Sequence, residues 1–500
     1  MKLNQLINLI NENSLISHVC FPPYVEDNNP EIDKLVSDSR EAKPGTIFAC
    51  VVGEHFDGHD YAKAAIASGA SALLCERELE LNVPQIICSD IRRNMGIVSS
   101  LIYETPIDKL TMIGLTGTNG KTTTTFMLKS ILKNAGMKTG LLGTIYYDDG
   151  NVVVDAEQTT PEASDLQYWL ARMVKNKCEA CIMEVSSHAI VQGRIEGVLY
   201  DRVGFSNLTV DHLDYHEDME QYFLAKKKLF DSYVRNNWKA AVNVDDEYGK
   251  RLIKEFCGRV VTFGTKDKSA DFLAVINNMS INGMEVGIKT PNNEKLIQIQ
   301  LPVLGDYNIH NALEALAIAW TLNIDDEVAL KGLVNMKQIP GRLERYIIQD
   351  KGSCVIDFAH SPDSLEKVLV TLRAVCKGKL HVVFGAGGDR DKTKRPIMGE
   401  LATKLADNVI ITSDNPRSEK PSEITSEIEV GAKKYSDNYR VVVDRREAIA
   451  EGLKGIADND VLLIAGRGPE RFQIVKEGPL PFLDKDVVFD WCAKNKIEVH

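Results

Sequence analysis

Met112-Ile-Gly-Leu-Thr-Gly-Thr-Asn-Gly-Lys-Thr-Thr-Thr124 decides the reading of this chain. Its apolar start predicts a short strand over 110–115, followed by a glycine turn. A helix follows, with Phe126, Leu128, Ile131, Leu132 and Ala135 at helical spacing and Gly136 as its stop. A strand, a glycine turn and Lys-Thr at a helix start make a phosphate cradle, because loop N–H groups and the helix dipole face an anion. In that cradle Gly117, Thr118, Asn119 and Gly120 wrap the phosphates of ATP, and Thr122 and Thr123 open the helix. Lys121 reaches the β- and γ-phosphates, and the Thr122 hydroxyl serves Mg²⁺. Counted back from Gly120-Lys121-Thr122, the first glycine of the generic pattern falls on Leu115, with Gly114 and Gly117 beside it. A tight strand-to-helix turn with a chance lysine is the competing reading.

Composition sets the frame. Five hundred residues exceed one ordinary domain, and three are expected. The apolar fraction of 44% and charged fraction of 26% suit a globular protein acting in water. No apolar run reaches the roughly 18 residues a membrane span needs, and the N-terminus lacks a signal-peptide core. The ten cysteines are scattered, and Cys88, Cys354 and Cys376 lie in apolar stretches, which fits reduced thiols and a cytoplasmic, monomeric protein. Cys178-Glu-Ala-Cys181 has redox or half-zinc spacing, but with no second pair it reads as core. A net charge of −12 argues against nucleic acid, so an anionic substrate must be held by local basic and backbone groups.

Taken in order, residues 1–106 read as a small α/β domain. Ser37-Asp-Ser-Arg40, Lys43-Pro-Gly-Thr-Ile-Phe-Ala-Cys50 and Gly53-Glu-His-Phe-Asp-Gly-His59 surround one clear strand, and a helix is expected over 61–70. Ser39, His55 and His59 are candidates for a nucleotide diphosphate; solvated turn residues are the alternative. Residues 107–337 form the ATP domain. Here Ala180-Cys-Ile-Met-Glu184 is an apolar strand ending in a carboxylate, and continuous apolar strands suit a parallel sheet whose ligands sit beyond the carboxyl ends. Glu184 is thus placed to hold a metal. Phe205-Ser-Asn-Leu-Thr-Val-Asp-His212 ends the same way, followed by Leu213-Asp-Tyr-His216, and His212 is the second candidate ligand. Tyr222–Phe230 is helical, and its three lysines from Lys226 read by themselves as a solvated face. Asn282-Gly283 between alternating runs signals a hairpin, read as an antiparallel appendage on the ATP domain. Asn308 and Asn311, at the start of a long Ala/Leu helix, are candidates to face adenine, with helix capping by Asn308 as the alternative. Residues 338–500 alternate buried strands and helices in a Rossmann-like pattern. Their strands end at Gly385-Ala-Gly-Gly-Asp-Arg-Asp391, Asp414-Asn-Pro-Arg417 and Gly466-Arg-Gly-Pro-Glu470.

These motifs, in this order and over nearly the whole chain, resemble those of the Mur ligases. The most specific are Gly117–Thr123, Met183-Glu-Val-Ser-Ser-His188, Asp211–His216, Gly385–Arg390 and Asp414–Arg417. The resemblance is to the tripeptide-forming branch of the diaminopimelate-adding type. It implies an ADP-forming ligase that joins meso-diaminopimelate to UDP-N-acetylmuramoyl-L-alanyl-D-glutamate through an acyl phosphate, with domain closure before chemistry. It implies Lys121, His212 and Lys226 as catalytic residues, Lys226 carrying a CO₂-derived carbamate that supports Mg²⁺ together with Thr122, Glu184 and His212. It adds Asn308, Asn311, Arg342 and Asp357 to the ATP site, and Thr159, Thr160, Ser186, Gln192 and Arg194 to the muramoyl-dipeptide site. Arg390, Asp414, Asn415, Pro416, Arg417, Gly466 and Glu470 fall to diaminopimelate. The chain departs from the family pattern at Pro469, where histidine is usual, and at Phe358, where tyrosine is usual. L-lysine as the added amino acid, a folylpolyglutamate-synthetase-like ligase and a non-catalytic nucleotide switch are the alternatives.

Overall fold

The phosphate loop leaves a strand, Thr111–Thr116, whose side chains are buried from Met112 onward. The structure, a computed structural model, describes residues 1–13, 18–21, 29–53, 56–212 and 215–500. This strand pairs in parallel with Ala180–Glu184 on one side and Tyr200–Phe205 on the other. Thr139–Leu142 extends one flank, and Val234–Asn243 then Val260–Gly264 extend the other, all parallel. Tyr146–Asp148 and Val153–Asp155 close the first flank antiparallel. The chain goes first to Thr139–Leu142, returns to fill the gap with Ala180–Glu184, and then crosses to the far side of the first strand. Strand order therefore reverses at the phosphate loop, the place where open α/β sheets bind ligands.

A separate five-strand sheet precedes it, ordered His18–Cys20, Gln85–Ile87, Ala72–Cys75, Thr46–Ala49, Lys34–Val36. Only its first pair is antiparallel. The helix expected over 61–70 is shorter, Ala62–Ala67, because a 3₁₀ turn takes Gly58–Tyr61.

Packing divides the chain into two compact units. The first comprises Met1–Leu273, Thr290–Asn292 and His310–Leu333. It contains both sheets just described, each with its own apolar core. The second comprises Ala274–Lys289, Asn293–Ile309 and Val334–His500. Phe272–Ser280, Gly283–Thr290 and Asn293–Leu301 are successive sheet neighbours. Their two-residue connections make them antiparallel. The sequence reads this segment as an appendage on the ATP domain; Phe272–Ser280 continues that domain's sheet by pairing in parallel with Val260–Gly264, while by packing most of the segment groups with the second unit. Leu304, Met279, Ile281 and Tyr307 join that unit's core, and Arg345 donates to the Ile281 carbonyl. The main sheet of this unit runs Glu344–Ile348, Gly352–Asp357, Asp460–Ala465, Leu380–Phe384, Asn408–Ile411, Tyr439–Val441, parallel after its first strand.

All ten cysteines are free thiols. Cys178 and Cys181 are core residues, Cys178 donating to the Asp149 carbonyl. Among the described residues no helix is long and apolar enough to cross a membrane.

The loop strand leaves no room beside Gly114. A methyl group there meets the fully buried Tyr200 ring at 2.8 Å. Gly114→Ala is therefore expected to destabilise the first unit by about 1–3 kcal/mol. Urea unfolding checks this, and an unchanged midpoint contradicts it.

Candidate active site

Gly117 and Gly120 have φ of +146° and +96°, backbone that glycine adopts without strain. Both are also crowded, Gly117 by the Ser206 hydroxyl and Gly120 by the Asn311 amide. The segment after Phe205 pins the loop from outside. Ser206 Oγ donates to the Asn119 carbonyl at 2.5 Å, Thr118 N donates to the Asn207 carbonyl, and Asn119 N donates to Asn207 Oδ1. Lys121 Nζ bridges the Gly117 and Thr118 carbonyls at 2.8 and 3.0 Å. The loop is a preset shell of backbone donors with an ammonium held at its mouth.

Glu184 stands opposite Leu115 in the parallel register, so its strand ends where the loop begins. Its buried carboxylate accepts from Thr122 Oγ1 at 3.0 Å, Thr144 N at 2.9 Å and Thr144 Oγ1 at 3.0 Å. Thr144 Oγ1 also meets Thr159 Oγ1 at 3.1 Å. A carboxylate and a hydroxyl side by side at the start of a phosphate-facing helix are hard oxygen donors, and they fit Mg²⁺. Thr160 Oγ1 donates to the Glu184 carbonyl and accepts from Ser186 N, which ties the candidate dipeptide residues to this strand end. Arg194 donates to the Thr160 carbonyl at 3.2 Å and to the Gln158 amide oxygen. The buried Gln192 Oε1 has no hydrogen-bond partner among the described residues.

Lys226 is almost wholly buried, against the reading of its lysine run as a solvated face. The helical phase decides this: Tyr222, Phe223, Lys226, Leu229 and Phe230 share the buried side. Lys226 Nζ donates to the Gly117 carbonyl at 3.0 Å and lies 4.6 Å from the centre of the Tyr222 ring. Burial, then the nearby Lys121 charge, hold its pKa well below the usual lysine range. His212 adopts φ +54°, and its half-exposed ring lies edge-on to His188 at 4.9 Å. A non-glycine residue in the left-handed region is uncommon and marks candidate functional positions. Leu213 and Asp214 lie outside the described residues.

Asn311 sits against Gly120 of the phosphate loop. Asn308 is buried and donates to the Leu304 carbonyl at 2.6 Å. One turn beyond Asn311, Glu314 is buried and accepts from Thr124 of the loop helix at 3.1 Å. Its Oε1 has no hydrogen-bond partner among the described residues. Burial pushes its pKa up to about 8, against opposing effects of Thr124 and Lys121.

In the N-terminal sheet Ser39 opens a 3₁₀ turn capped by Asp38. His59 requires a correction. It is buried, and both ring nitrogens are engaged, with Asp57 and with the Glu76 N–H. This arrangement turns the ring into the domain and occupies both of its nitrogens. His55 lies outside the described residues.

In the second unit, Asp414 Oδ2 is buried without a hydrogen-bond partner among the described residues. Asn415 Nδ2 donates to Glu470 Oε2 at 2.7 Å, and Arg467 donates to Asn415 Oδ1. Burial raises the Glu470 pKa, assisted by the Asp414 charge. Arg417, half-buried at φ +52°, donates to the Gly388 carbonyl at 2.8 Å, while Pro416 is buried and Arg390 exposed. The Asp357 carboxylate accepts from Leu343 N and Ala359 N, and the Arg342 guanidinium lies 5.1 Å over the Phe358 ring. Phe358 thus keeps the ring's packing role without the hydroxyl. Pro469 packs against Gly341, which gives that substitution a structural place.

Sequence reasoning assigned no role to Thr144, Ser206, Asn207 or Glu314. Nor did it find the buried Arg445–Asp484 pair, in which Arg445 also donates to the Ser413 and Ala465 carbonyls just before the Asp414 and Gly466 loops. Polar residues directly after apolar strands were the available signal for Thr144, Ser206 and Asn207.

Residues 31–105, 115–319 and 341–468 match, respectively, the Mur ligase family catalytic domain, the Mur ligase middle domain and the Mur ligase glutamate ligase domain. Over 475 residues the chain is 40% identical to the UDP-N-acetylmuramoyl-L-alanyl-D-glutamate–2,6-diaminopimelate ligase of Clostridium botulinum, covering 93% of this chain and 96% of that one. It is 39% identical over 486 residues to ligase 1 of the same name from Clostridium acetobutylicum, covering 96% and 98%. A solved structure of a ligase with this name aligns with a TM-score of 0.67 at 30% identity, covering 93% of this chain and 95% of that one.

Glu314 gives the first unit a pH signature. The folded carboxyl keeps its proton to about pH 8, whereas the unfolded one ionises near 4.5. Between those values the folded state binds the extra proton, so stability falls as pH rises, by up to about 1.4 kcal/mol per pH unit. Glu314→Gln removes this slope. The melting temperature of the variant is expected to gain on the parent steadily from pH 5 to pH 8; parallel curves contradict the assignment.

Proposed function

The chain belongs to the Mur ligase family, and we propose that it joins meso-diaminopimelate to UDP-N-acetylmuramoyl-L-alanyl-D-glutamate at the expense of ATP. Full-length identity of about 40% to ligases of that name supports the reaction. The observation that carries the chemistry is the phosphate loop with the Thr122–Glu184 oxygen pair at its helix start. We read the domains as 1–106, 107–337 and 338–500, with the chain working in the cytoplasm on small molecules.

A carboxylate resists an amine because it is anionic and has no leaving group. Transfer of the γ-phosphoryl group to a carboxylate oxygen makes an acyl phosphate, which has one. The amine nitrogen then attacks the acyl carbon, and the tetrahedral intermediate collapses to the amide with loss of phosphate. The loop N–H groups and Lys121 hold the β- and γ-phosphates and take up charge that develops as the phosphoryl group moves. Thr122, Glu184, His212 and Lys226 as its carbamate would hold Mg²⁺, which when bound screens phosphate charge and polarises the transferring group. Thr159, Thr160, Ser186, Gln192 and Arg194 orient the dipeptide, and the unpartnered Gln192 amide oxygen is available to a substrate donor. Ser39 remains the N-terminal candidate for the uridine diphosphate.

Lys226 is set up for carbamylation. Burial and the nearby Lys121 charge lower its pKa and favour the neutral amine, the form whose lone pair attacks CO₂. The nitrogen–carbon bond forms, one proton leaves, and a side chain that would repel Mg²⁺ becomes an anionic oxygen donor. For the amino acid, Arg417 offers a planar fork to the distal carboxylate of diaminopimelate. Glu470 and Asp414 suit an amino group. L-lysine lacks that carboxylate and leaves the guanidinium facing an ammonium.

Three outcomes are expected. ADP release requires Mg²⁺ and both substrates, and Lys121→Ala lowers it by roughly 10²–10³-fold or more; equal ATP turnover without acceptor points to a nucleotide switch instead. Carbon-13 NMR of enzyme equilibrated with labelled CO₂ shows a carbamate resonance that Lys226→Ala abolishes; an identical spectrum in the variant removes the assignment. Diaminopimelate is preferred over L-lysine by up to about 10⁴-fold in kcat/KM, and Arg417→Ala erodes the preference. Equal use of both amino acids, or equal losses in the variant, contradicts the role of Arg417.

A further inference from the structure

The N-terminal sheet holds a second constellation of chemistry-bearing side chains. Thr46–Ala49 and Ala72–Cys75 pair in parallel with Ala49 opposite Leu74, so Cys50, the next residue, comes beside Cys75. The two sulfurs are 3.7 Å apart, and both cysteines are fully buried. His59, from the 3₁₀ turn Gly58–Tyr61, is 5% exposed. One ligand atom from each of Cys50, His59 and Cys75 lies within 4.8 Å of the other two, the only such His, Cys, Asp or Glu cluster among the described residues. His59 Nε2 accepts from the Glu76 N–H at 3.1 Å, which puts the ring proton on Nδ1, 2.6 Å from Asp57 Oδ1.

We propose that Cys50, His59 and Cys75 bind one thiophilic divalent cation of the zinc class. Two thiolates bound at about 2.3 Å to one tetrahedral ion stand about 3.8 Å apart. The sulfurs already have that spacing. Two thiolate charges cancel the charge of a divalent cation, and neutral imidazole adds none, so the complex is neutral in a place that rejects isolated charge. Asp57 holds Nδ1–H and leaves the Nε2 lone pair for the ligand side, the carboxylate–histidine–metal relay that fixes ring orientation at metal centres. On binding, each thiol gives its proton to water, two metal–sulfur bonds form, and the Glu76 N–H gives up Nε2 to the metal. Two protons are released per ion and nothing is oxidised. Three protein ligands leave a fourth position for water. Mg²⁺ prefers oxygen donors and does not compete. The site ties the Gly58–Tyr61 turn to the strand ends of its sheet and is separate from the chemistry at Lys121.

Cobalt titration of the metal-free full-length protein, reduced and with excess Mg²⁺ present, tests the proposal. One equivalent of Co²⁺ is expected to give thiolate-to-cobalt charge-transfer absorption, which Co²⁺ on oxygen ligands does not give. Cys50→Ala and Cys75→Ala lose the band; Cys257→Ala, which removes an exposed thiol, keeps it. Asp57→Asn weakens Co²⁺ binding by about 10- to 100-fold. Absence of the band in the parent protein overturns the proposal whatever the variants do. So does a band that survives in both cysteine variants, once circular dichroism shows them folded. Recovery of the protein without zinc and with Cys50 and Cys75 joined as a disulfide also overturns it.

Discussion

Two lysine side chains converge on the carbonyl oxygen of Gly117, Lys121 at 2.8 Å and Lys226 at 3.0 Å. Two ammonium groups cannot share so small a buried space at low cost. Lys121 lies at the phosphate side and keeps the role of cation. Lys226, buried beside the Tyr222 ring, is driven toward the neutral amine. The proposed carbamate completes that logic by turning the second like charge into a counter-charge. The phosphate loop, the strand-end carboxylate and the lysine helix thus form one electrostatic unit.

The second unit solves a different problem. In the proposed reaction its strand-end loops would present Asp414, Arg417 and Glu470 to the amino acid without collapsing on one another. Rigidity comes from guanidinium groups buried beneath them. Arg445 pairs bidentately with Asp484 and donates to the Ser413 and Ala465 carbonyls, one residue before each loop. Arg395 pairs with Glu419 and Glu427 and also donates to the Gly387 carbonyl. Breaking either network leaves an uncompensated buried charge, which is why such pairs fix geometry more than they add stability.

The sequence made the skeleton of the site legible because that part is local. Gly117–Thr123 announces a loop by its own spacing, and Glu184 announces itself by ending an apolar strand. What holds these residues is not local. Thr122 meets Glu184 across 62 positions, and Thr124 meets Glu314 across 190. No periodicity reports such pairings. Glu314 lies in an Ala/Leu helix and carries no sign that its carboxyl is buried. By composition alone the lysine run suggests solvent, whereas helical phase puts Lys226 inward. His59 misled for a related reason: an Asp-Gly-His turn reads as exposed, yet the turn folds the imidazole back over Cys50 and Cys75.

The central claim is that a substrate carboxylate is activated by phosphorylation at the Lys121 loop before the amine arrives. Its most direct test is the fate of a carboxylate oxygen. With the acceptor labelled by ¹⁸O in the reacting carboxylate, attack of the amine on an acyl phosphate expels phosphate carrying one former carboxylate oxygen. Mass analysis of the released phosphate should show one ¹⁸O per molecule, in step with amide formed. Unlabelled phosphate released alongside the amide contradicts the account.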